Sequence, residues 1–239
     1  MSGHSKWHSI RHKKGALDAK RGKIFTKIIK EISIAARMGG ADVNANPRLR
    51  TAILKAKGVN MPKDNIERAI KKGSGELDGA NYEEIVYEGF GPGGTAFYVE
   101  VLTDNRNRTA AEIRNIFNKN GGNMGEKGSV AYMFEKKGII VVDKEKSTED
   151  DIMEIAINSG ADDVQTSESG FEVVTETNAF EDVLNALKEN NIEPDVAEIT
   201  MIANVTSKVD ETGTDKVNRL VDLLEDNLDV QSVSTNMEI

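Results

Sequence analysis

The sequence contains no cysteine, which excludes disulfide bonds, thiolate metal ligands and thiol nucleophiles. A chain without cysteine suits a reducing compartment, and we predict a cytoplasmic protein. Aromatic residues make up only 5% of the chain, which argues against a platform of stacked aromatic rings for nucleic acid. No apolar run approaches the roughly 18 residues that a membrane helix needs, and the basic N-terminus lacks the apolar segment of a signal peptide. We therefore expect a soluble protein that does not contact membranes.

Signatures of common catalytic and nucleotide-binding sites are also missing. The chain has no GxxxxGK[ST] phosphate loop, no HExxH zinc motif, no GxSxG nucleophile motif and no EF-hand. Residues 89–94 formally contain GxGxxG, but a strand pattern rather than a helix pattern follows them, which indicates a turn between two strands. We predict that the protein is not an enzyme and has no catalytic residue, cofactor, metal or small-molecule substrate.

Charge is abundant and unevenly distributed. Residues 1–75 contain 18 Lys and Arg against 5 Asp and Glu, a net charge of +13. Residues 76–239 contain 13 against 35, a net charge of −22. The basic third indicates a polyanionic partner. The acidic remainder would repel this partner and so orient its contact with the protein. We predict nucleic acid as this partner, while the acidic part either binds a basic protein or only maintains solubility.

The basic third is predicted to be helical. Apolar residues recur at helical spacing over residues 16–38, and Gly39-Gly40 ends that pattern. Asn46-Pro47 supplies a cap and a first-turn proline for a second helix, and Met61-Pro62 opens a third. Two ion pairs at i,i+4 spacing are expected on the third helix, namely Asp64 with Arg68 and Glu67 with Lys71.

Lysines recur along one face of the first predicted helix, apart from its apolar stripe. A lysine-rich face is often only solvated, but this cationic excess continues through three helices and the preceding tail, so we favour contact with phosphates. Lysine is a point charge, which suits phosphates better than base edges. The predicted nucleic-acid-binding residues are Lys6, Trp7, Arg11, His12, Lys13, Lys14, Lys20, Arg21, Lys23, Lys27, Lys30, Arg48, Arg50, Arg106 and Arg108.

The first fifteen residues form a basic tail that contains the only tryptophan. Because apolar residues are sparse there, we predict disorder in the free protein and ordering on nucleic acid. Trp7 either stacks on a base or packs against the helices, and the sequence favours neither. His4, His8 and His12 share the spacing of metal ligands on a helix, but the surrounding cations would repel a metal, so contact with nucleic acid is the better use.

The acidic remainder predicts two α/β units. Residues 138–202 give the order β-α-β-β-α-β, which is the ferredoxin-like arrangement. Strand and helix patterns flank this unit on both sides, including a strand over 129–135 and another near 203–209. Neither flank alone makes a good sheet, but the two flanks together do. The predicted fold is therefore a multi-domain α and α+β protein, with a helical bundle followed by two α/β domains, one inserted into the other. The predicted domains are 1–78 for the basic helical domain with its tail, 79–135 plus 203–239 for the discontinuous domain, and 136–202 for the inserted ferredoxin-like domain.

A polar segment, Asp104-Asn105-Arg106-Asn107-Arg108, precedes a helix that we predict to open with the capping box Thr109-Ala110-Ala111-Glu112. Arginines at a helix N-terminus are unfavourable with the helix dipole, so they should serve another purpose. Arg106 and Arg108 either pair with acids in a domain interface or grip phosphate as planar forks.

Short motifs along residues 3–132 give a specific resemblance. They are GHSKW (3–7), RGKIF (21–25), NPRLR (46–50), NMPKDNI (60–66), YEGFGPGG (87–94), TDNRNRT (103–109), NGG (120–122) and GSVAY (128–132). In this order they closely resemble the YebC family of transcriptional regulatory proteins, whose mitochondrial relatives are translational activators. The resemblance implies three domains, with a ferredoxin-like one inserted in another, and a cytoplasmic, non-enzymatic nucleic-acid-binding regulator.

We therefore expect a DNA-binding transcriptional regulator that acts through its basic helical domain. A ribosome-associated translation factor that binds rRNA is the alternative, since the sequence shows no clean helix-turn-helix and no heptad segment for dimerisation. A metal-dependent nuclease is a remote alternative, because the basic third has only five acidic residues and helix pairing accounts for most of them.

Overall fold

The computed structural model of the chain describes residues 17–167 and 170–238, with the backbone alone for residues 17–20. Seven α-helices and two four-stranded antiparallel sheets occupy these ranges. They form a multi-domain α+β fold in which three helices come first and the two sheets follow. Within the described ranges, no helix has both the length and the apolar character needed to cross a membrane.

The three helices at the basic end form what we call the helical unit. Helix α1 spans Leu17–Gly39, α2 spans Pro47–Gly58 and α3 spans Lys63–Gly73. Apolar side chains at helical spacing meet in one buried cluster, which includes Ile32 from α1, Leu49 from α2 and Ile66 from α3. The prediction of three helices in this region is confirmed.

Two local features fix how these helices pack. Asn46 caps α2 by accepting a hydrogen bond from the Leu49 backbone N–H at 3.0 Å, and its Nδ2 donates to the Ala35 carbonyl of α1 at 2.8 Å. At the end of α3, a Cβ on Gly73 would lie 2.2 Å from the Ser33 carbonyl oxygen of α1. Glycine is therefore required there for α3 to approach α1 closely.

The first sheet unit contains strands β1, β2, β3 and β8, in the spatial order β3-β1-β2-β8. Their bounds are Glu83–Phe90 for β1, Ala96–Thr103 for β2, Asn123–Met124 for β3 and Val230–Thr235 for β8. Helices α4 (Arg106–Lys119) and α7 (Glu211–Glu225) pack on this sheet and share its core. The rings of Phe97 and Phe117 meet edge to face there, 5.6 Å apart. The predicted turn at residues 89–94 is confirmed, since β1 and β2 pair as a hairpin.

The second sheet unit contains strands β4 to β7, in the spatial order β5-β6-β4-β7. Their bounds are Phe134–Asp143 for β4, Ala161–Thr166 for β5, Gly170–Thr175 for β6 and Val196–Ala203 for β7. Helices α5 (Glu149–Asn158) and α6 (Phe180–Glu189) share a core with these strands. The elements follow the predicted order β-α-β-β-α-β.

Three predicted elements differ from the structure. The strand predicted over 129–135 is wrong, because a 3-10 turn at Ala131–Met133 leads into one long strand β4 that pairs with β7 from Phe134 onward. Beyond β7, residues 204–209 form a single bridge, between Ser207 and Met237, in place of the predicted strand. Helix α4 opens at Arg106 under an Asn105 cap, so the predicted capping box at Thr109 is wrong, and the Thr109 hydroxyl instead donates to Asp229.

The two sheet units join through apolar side chains. Phe134 and Val130 pack with Ala96 of β2 in a small buried cluster, against which Met201 and other side chains lie. Buried Glu88 orders the adjoining loop by accepting hydrogen bonds from the backbone N–H groups of Gly128, Val130 and Ala131. Burial opposes ionisation of Glu88, but these three hydrogen bonds outweigh it and lower the pKa of that carboxyl.

Candidate nucleic-acid interface

The lysine face of α1 lies against the C-terminal end of α7. Lys23 Nζ is 2.7 Å from Asp226 Oδ2, and Lys27 Nζ donates to the Glu225 carbonyl oxygen at 2.5 Å. A helix C-terminus carries unsatisfied carbonyls and a partial negative charge, so it attracts cations. Two of the predicted phosphate-binding lysines are thus engaged by anionic groups of the protein itself.

Lys30, one turn further along α1, is buried between the helical unit and the first sheet unit. Its Nζ donates to Asp229 Oδ1 at 2.5 Å and to the Leu228 carbonyl at 3.0 Å. Only 8% of the Lys30 side chain and 6% of the Asp229 side chain are exposed, so a phosphate cannot reach this ammonium group in this arrangement.

Asp229 also binds two side chains of α4. Arg108 Nη2 lies 2.7 Å from Asp229 Oδ2, and the Thr109 hydroxyl donates to the same oxygen at 2.6 Å. Burial opposes ionisation of this carboxyl, but hydrogen bonds from Lys30, Thr109 and Arg108 outweigh burial and lower the pKa of Asp229 to about 2. For Arg108, the interface alternative therefore has direct support, whereas Arg106 is exposed and has no ion-pair partner among residues 17–167 and 170–238.

The cations of α2 reach acids of both sheet units. Arg48 binds Glu31 of α1 at 2.8 Å and Glu84 of β1 at 2.5 Å. Burial opposes protonation of Arg48, but the two carboxylates prevail and raise its pKa. Arg50 binds Glu181 of α6 through two nitrogens, at 3.0 and 2.7 Å.

Lys55 completes this set on α2. Its Nζ lies 3.6 Å from Glu198 Oε2 on β7. Both sheet units therefore supply carboxylates to the helical unit.

Several exposed cations of the helical unit have no ion-pair partner within the described part of the chain. They are Arg21, Arg37, Lys57, Arg68, Lys71 and Lys72. Only Arg21 was predicted as a binding residue. Arg68 and Lys71 were assigned to i,i+4 pairs, but Glu67 pairs with Lys63 at 3.4 Å instead. Helical spacing alone could have placed these two side chains on the exposed face of α3, opposite its buried residues.

A cleft of about 500 Å³ lies between α1, the end of α3 and the segment that follows α3. Arg37 and Lys72 line it, together with Asn81 and Tyr82. Both helices end at this cleft, so their dipoles favour the two cations and reduce the net attraction for an anion.

The remaining predicted residues cannot be placed against this geometry. Lys6, Trp7, Arg11, His12, Lys13 and Lys14 lie outside the described residues, as do His4 and His8, and the side chain of Lys20 is not described. In the part of the chain that is described, no group of three or more His, Cys, Asp or Glu side chains could hold a metal ion.

The fold and this interface define a multi-domain α+β protein whose basic helical unit contacts two acidic sheet units through ion pairs. Residues 5–76 match the family model for the TACO1/YebC protein N-terminal domain, and residues 82–237 match the model for the TACO1/YebC second and third domain. The chain belongs to the YebC family, as the sequence motifs predicted.

Individual relatives match along at least 95% of their length. A protein of Treponema denticola named "Probable transcriptional regulatory protein" is 58% identical over 239 residues, which cover 100% of this chain and 97% of the relative. A protein of Geobacter sulfurreducens with the same description is 57% identical over 239 residues, covering 100% and 96%. The crystal structure of the conserved hypothetical protein Aq1575 from Aquifex aeolicus superposes with a TM-score of 0.88 at 47% identity, covering 96% of this chain and 95% of that one.

Proposed function

We propose that this protein is a non-enzymatic, nucleic-acid-binding regulator of transcription that works in the cytoplasm and contacts DNA through its basic helical unit. The names of the relatives support a regulatory role, since those at 54–58% identity are called probable transcriptional regulatory proteins. We extend that description to this chain and assign the surface that contacts DNA.

The observation that carries the proposal is the segregation of charge. Residues 1–75 hold 18 of the 31 Lys and Arg residues of the chain, and six exposed cations of the helical unit have no ion-pair partner among the described residues. An excess of this kind attracts phosphates through counterion release, which needs no particular base sequence. The basic tail, with four further cations over residues 1–16, adds to the same field.

We propose contact residues in two groups. The tail residues and Lys20, Arg21, Lys23, Lys27, Arg48, Arg50 and Arg106 form the contact surface, and the exposed cations Arg37, Lys57, Arg68, Lys71 and Lys72 add to the positive field around it. Buried Lys30 and partly exposed Arg108 support this surface, because both bind Asp229.

We also propose the domain division predicted from sequence, with residues 136–202 as a ferredoxin-like domain inserted between the two parts of another. Strand pairing supports this division, because β2 precedes the second sheet unit in the sequence and pairs with β8, which follows it. Because Phe134 already pairs with Ala203, we place the start of the inserted domain at residue 134, two residues before the predicted boundary at 136.

A translation factor that binds ribosomal RNA is the second candidate. Asp64 and Glu67 stand among the cations on the exposed face of α3, so this helix is a poor candidate for a recognition helix in the major groove of DNA. Lysines dispersed over several helices suit contact with a folded RNA backbone.

The deciding experiment is to crosslink the protein in growing cells and to sequence both the DNA and the RNA attached to it. Discrete peaks at promoters, with little RNA, are expected for the transcription regulator. Recovery of ribosomal RNA at one location without DNA peaks would replace this proposal by the translation factor. Recovery of neither nucleic acid above the level of an untagged control would overturn both.

A further inference from the structure

The helical unit and the sheet units meet through polar groups. The apolar cluster of the helical unit draws only on residues between Phe25 and Ile70, and no buried apolar cluster of the described residues includes side chains from both the helical unit and a sheet. Ion pairs and hydrogen bonds of Lys23, Lys27, Lys30, Arg48, Arg50 and Lys55 cross the boundary. Polar boundaries of this kind permit relative motion of domains.

Most of these crossing ion pairs are open to solvent. The exposed fractions of the paired side chains are 44% and 44% for Lys23 and Asp226, 35% and 45% for Arg48 and Glu84, and 32% and 38% for Arg50 and Glu181. Exposed pairs contribute little to stability and are screened by salt. Another polyanion can therefore replace these carboxylates at a small free-energy cost.

The anionic groups on this face come from both sheet units. Carboxylates and helix-end carbonyls from α7, β1, α6 and β7 bind cations of α1 and α2. Guanidinium groups such as those of Arg48 and Arg50 accept carboxylate and phosphate in the same planar geometry.

We propose that the cationic face of α1 and α2 has two alternative occupants: the acidic groups of the sheet units, which hold it in the structure described here, and the phosphodiester backbone of nucleic acid, which displaces them. The inference rests on the proposed function and adds its regulation. The acidic units lower the affinity for nucleic acid because they compete for the same cations. Only a strand that provides several phosphates together displaces them. The buried Lys30–Asp229 pair is the last contact to break.

The first test removes the competing acids and leaves every cation in place. The variant combines Glu84→Gln, Glu181→Gln and Asp226→Asn. The control combines Asp150→Asn, Glu154→Gln and Glu189→Gln, which lie on α5 and α6, are exposed, and have no ion pair with the described helical unit. The two variants change the net charge by the same amount. A difference between their affinities for nucleic acid therefore reports competition rather than the overall electrostatic field.

We expect the first variant to bind single-stranded RNA and duplex DNA oligonucleotides about threefold or more tightly than the control variant, because the binding-competent fraction rises. The difference should shrink as salt screens the competing pairs. Equal affinities of the two variants, with circular dichroism showing both folded, would overturn the inference.

The second test reads the released carboxylates directly. Carbodiimide with an added small amine labels free carboxylates, and mass spectrometry locates the labels. Saturating oligonucleotide should raise labelling at Glu84, Glu181 and Asp226. Asp162 and Asp195, which pair with lysines inside the second sheet unit, serve as references that should not change. Bound oligonucleotide without increased labelling at the three test positions would contradict displacement.

These outcomes separate the inference from the proposed function. If the unmodified protein binds neither oligonucleotide, the proposed function fails. If it binds but the acid variant and the labelling show no change, nucleic acid binds without displacing these acids. The nucleic-acid-binding role then stands, while the inference and the proposed contacts at Lys23, Arg48 and Arg50 are wrong. If RNA but not DNA drives the labelling, the same competition operates in the RNA-binding alternative.

Discussion

The protein contains two junctions between its units, and they are built from different interactions. The two sheet units meet through Phe134, Val130 and Ala96, which are almost fully buried and stabilise the junction by removing apolar surface from water. The helical unit meets the sheets through charged side chains, most of them partly exposed. An apolar junction is not weakened by charge screening and favours one rigid arrangement, whereas a charged junction weakens as salt screens it or a competing polyanion occupies it. The apolar junction is therefore the more rigid of the two, and the charged junction is the one that salt or a competing polyanion can weaken.

The largest effect should come from Phe134→Ala at the apolar junction. The Phe134 side chain is 6% exposed and packs against the ring of Tyr98, so truncation leaves a cavity. We expect the free energy of unfolding to fall by about 4 kcal/mol. Urea unfolding at low and at high salt measures this loss, which should be the same in both. A loss that disappears at high salt would show that charge rather than packing holds this junction.

Asp229→Ala should have the next largest effect, and Asp226→Ala provides a matched comparison three residues away. Removing Asp229 leaves Lys30 buried without its carboxylate, which we expect to cost about 3 kcal/mol of unfolding free energy. Asp226 is 44% exposed, and its loss should cost less than about 1 kcal/mol. Thermal and urea unfolding of both variants measures the difference. Similar losses at the two positions would remove the distinction between the buried and the exposed part of the charged junction.

Acid should weaken the buried part of the charged junction within a defined pH range. The pKa of Asp229 is about 2 in the folded protein, below its ordinary value of 3.8. A lowered folded-state pKa stabilises the protein above the unfolded value, and this stabilisation disappears as the pH falls from about 4 towards 2. We expect a loss on the order of 2 kcal/mol across that range. Urea unfolding of the unmodified protein and of Asp229→Asn checks this prediction, because the variant should lack this component of the pH dependence.

The smallest effect should come from Lys23→Gln, at the exposed part of the charged junction. Lys23 and Asp226 are each 44% exposed, so the pair should contribute about 0.5 kcal/mol at low salt and less at high salt. A double-mutant cycle with Asp226→Asn, measured by urea unfolding at both salt concentrations, isolates this coupling. A coupling that persists at high salt would mean that this pair behaves as a buried one.

Local structure was largely predictable from the sequence. Helical spacing of Ile32 and its apolar neighbours, with the Asn46-Pro47 cap, predicted the helices of the basic end. The β-α-β-β-α-β order of the second sheet unit was likewise predictable, because periodicity and turn residues act over a few positions. Errors arose where a distant residue decides a local choice. The strand predicted over 129–135 is one example, because the backbone N–H groups of Val130 and Ala131 donate to Glu88, 42 and 43 positions away.

The charge asymmetry, the family motifs and most of the secondary structure were determined by the sequence alone, because each depends on composition or on short spacing. The partner of each charge was decided only by the tertiary structure. Lys23 meets Asp226 across 203 positions and Arg50 meets Glu181 across 131, and no periodicity connects residues so far apart. Ion pairs form wherever packing brings opposite charges together. The basic face that we predicted to bind phosphates therefore binds acidic residues of the same chain in this structure.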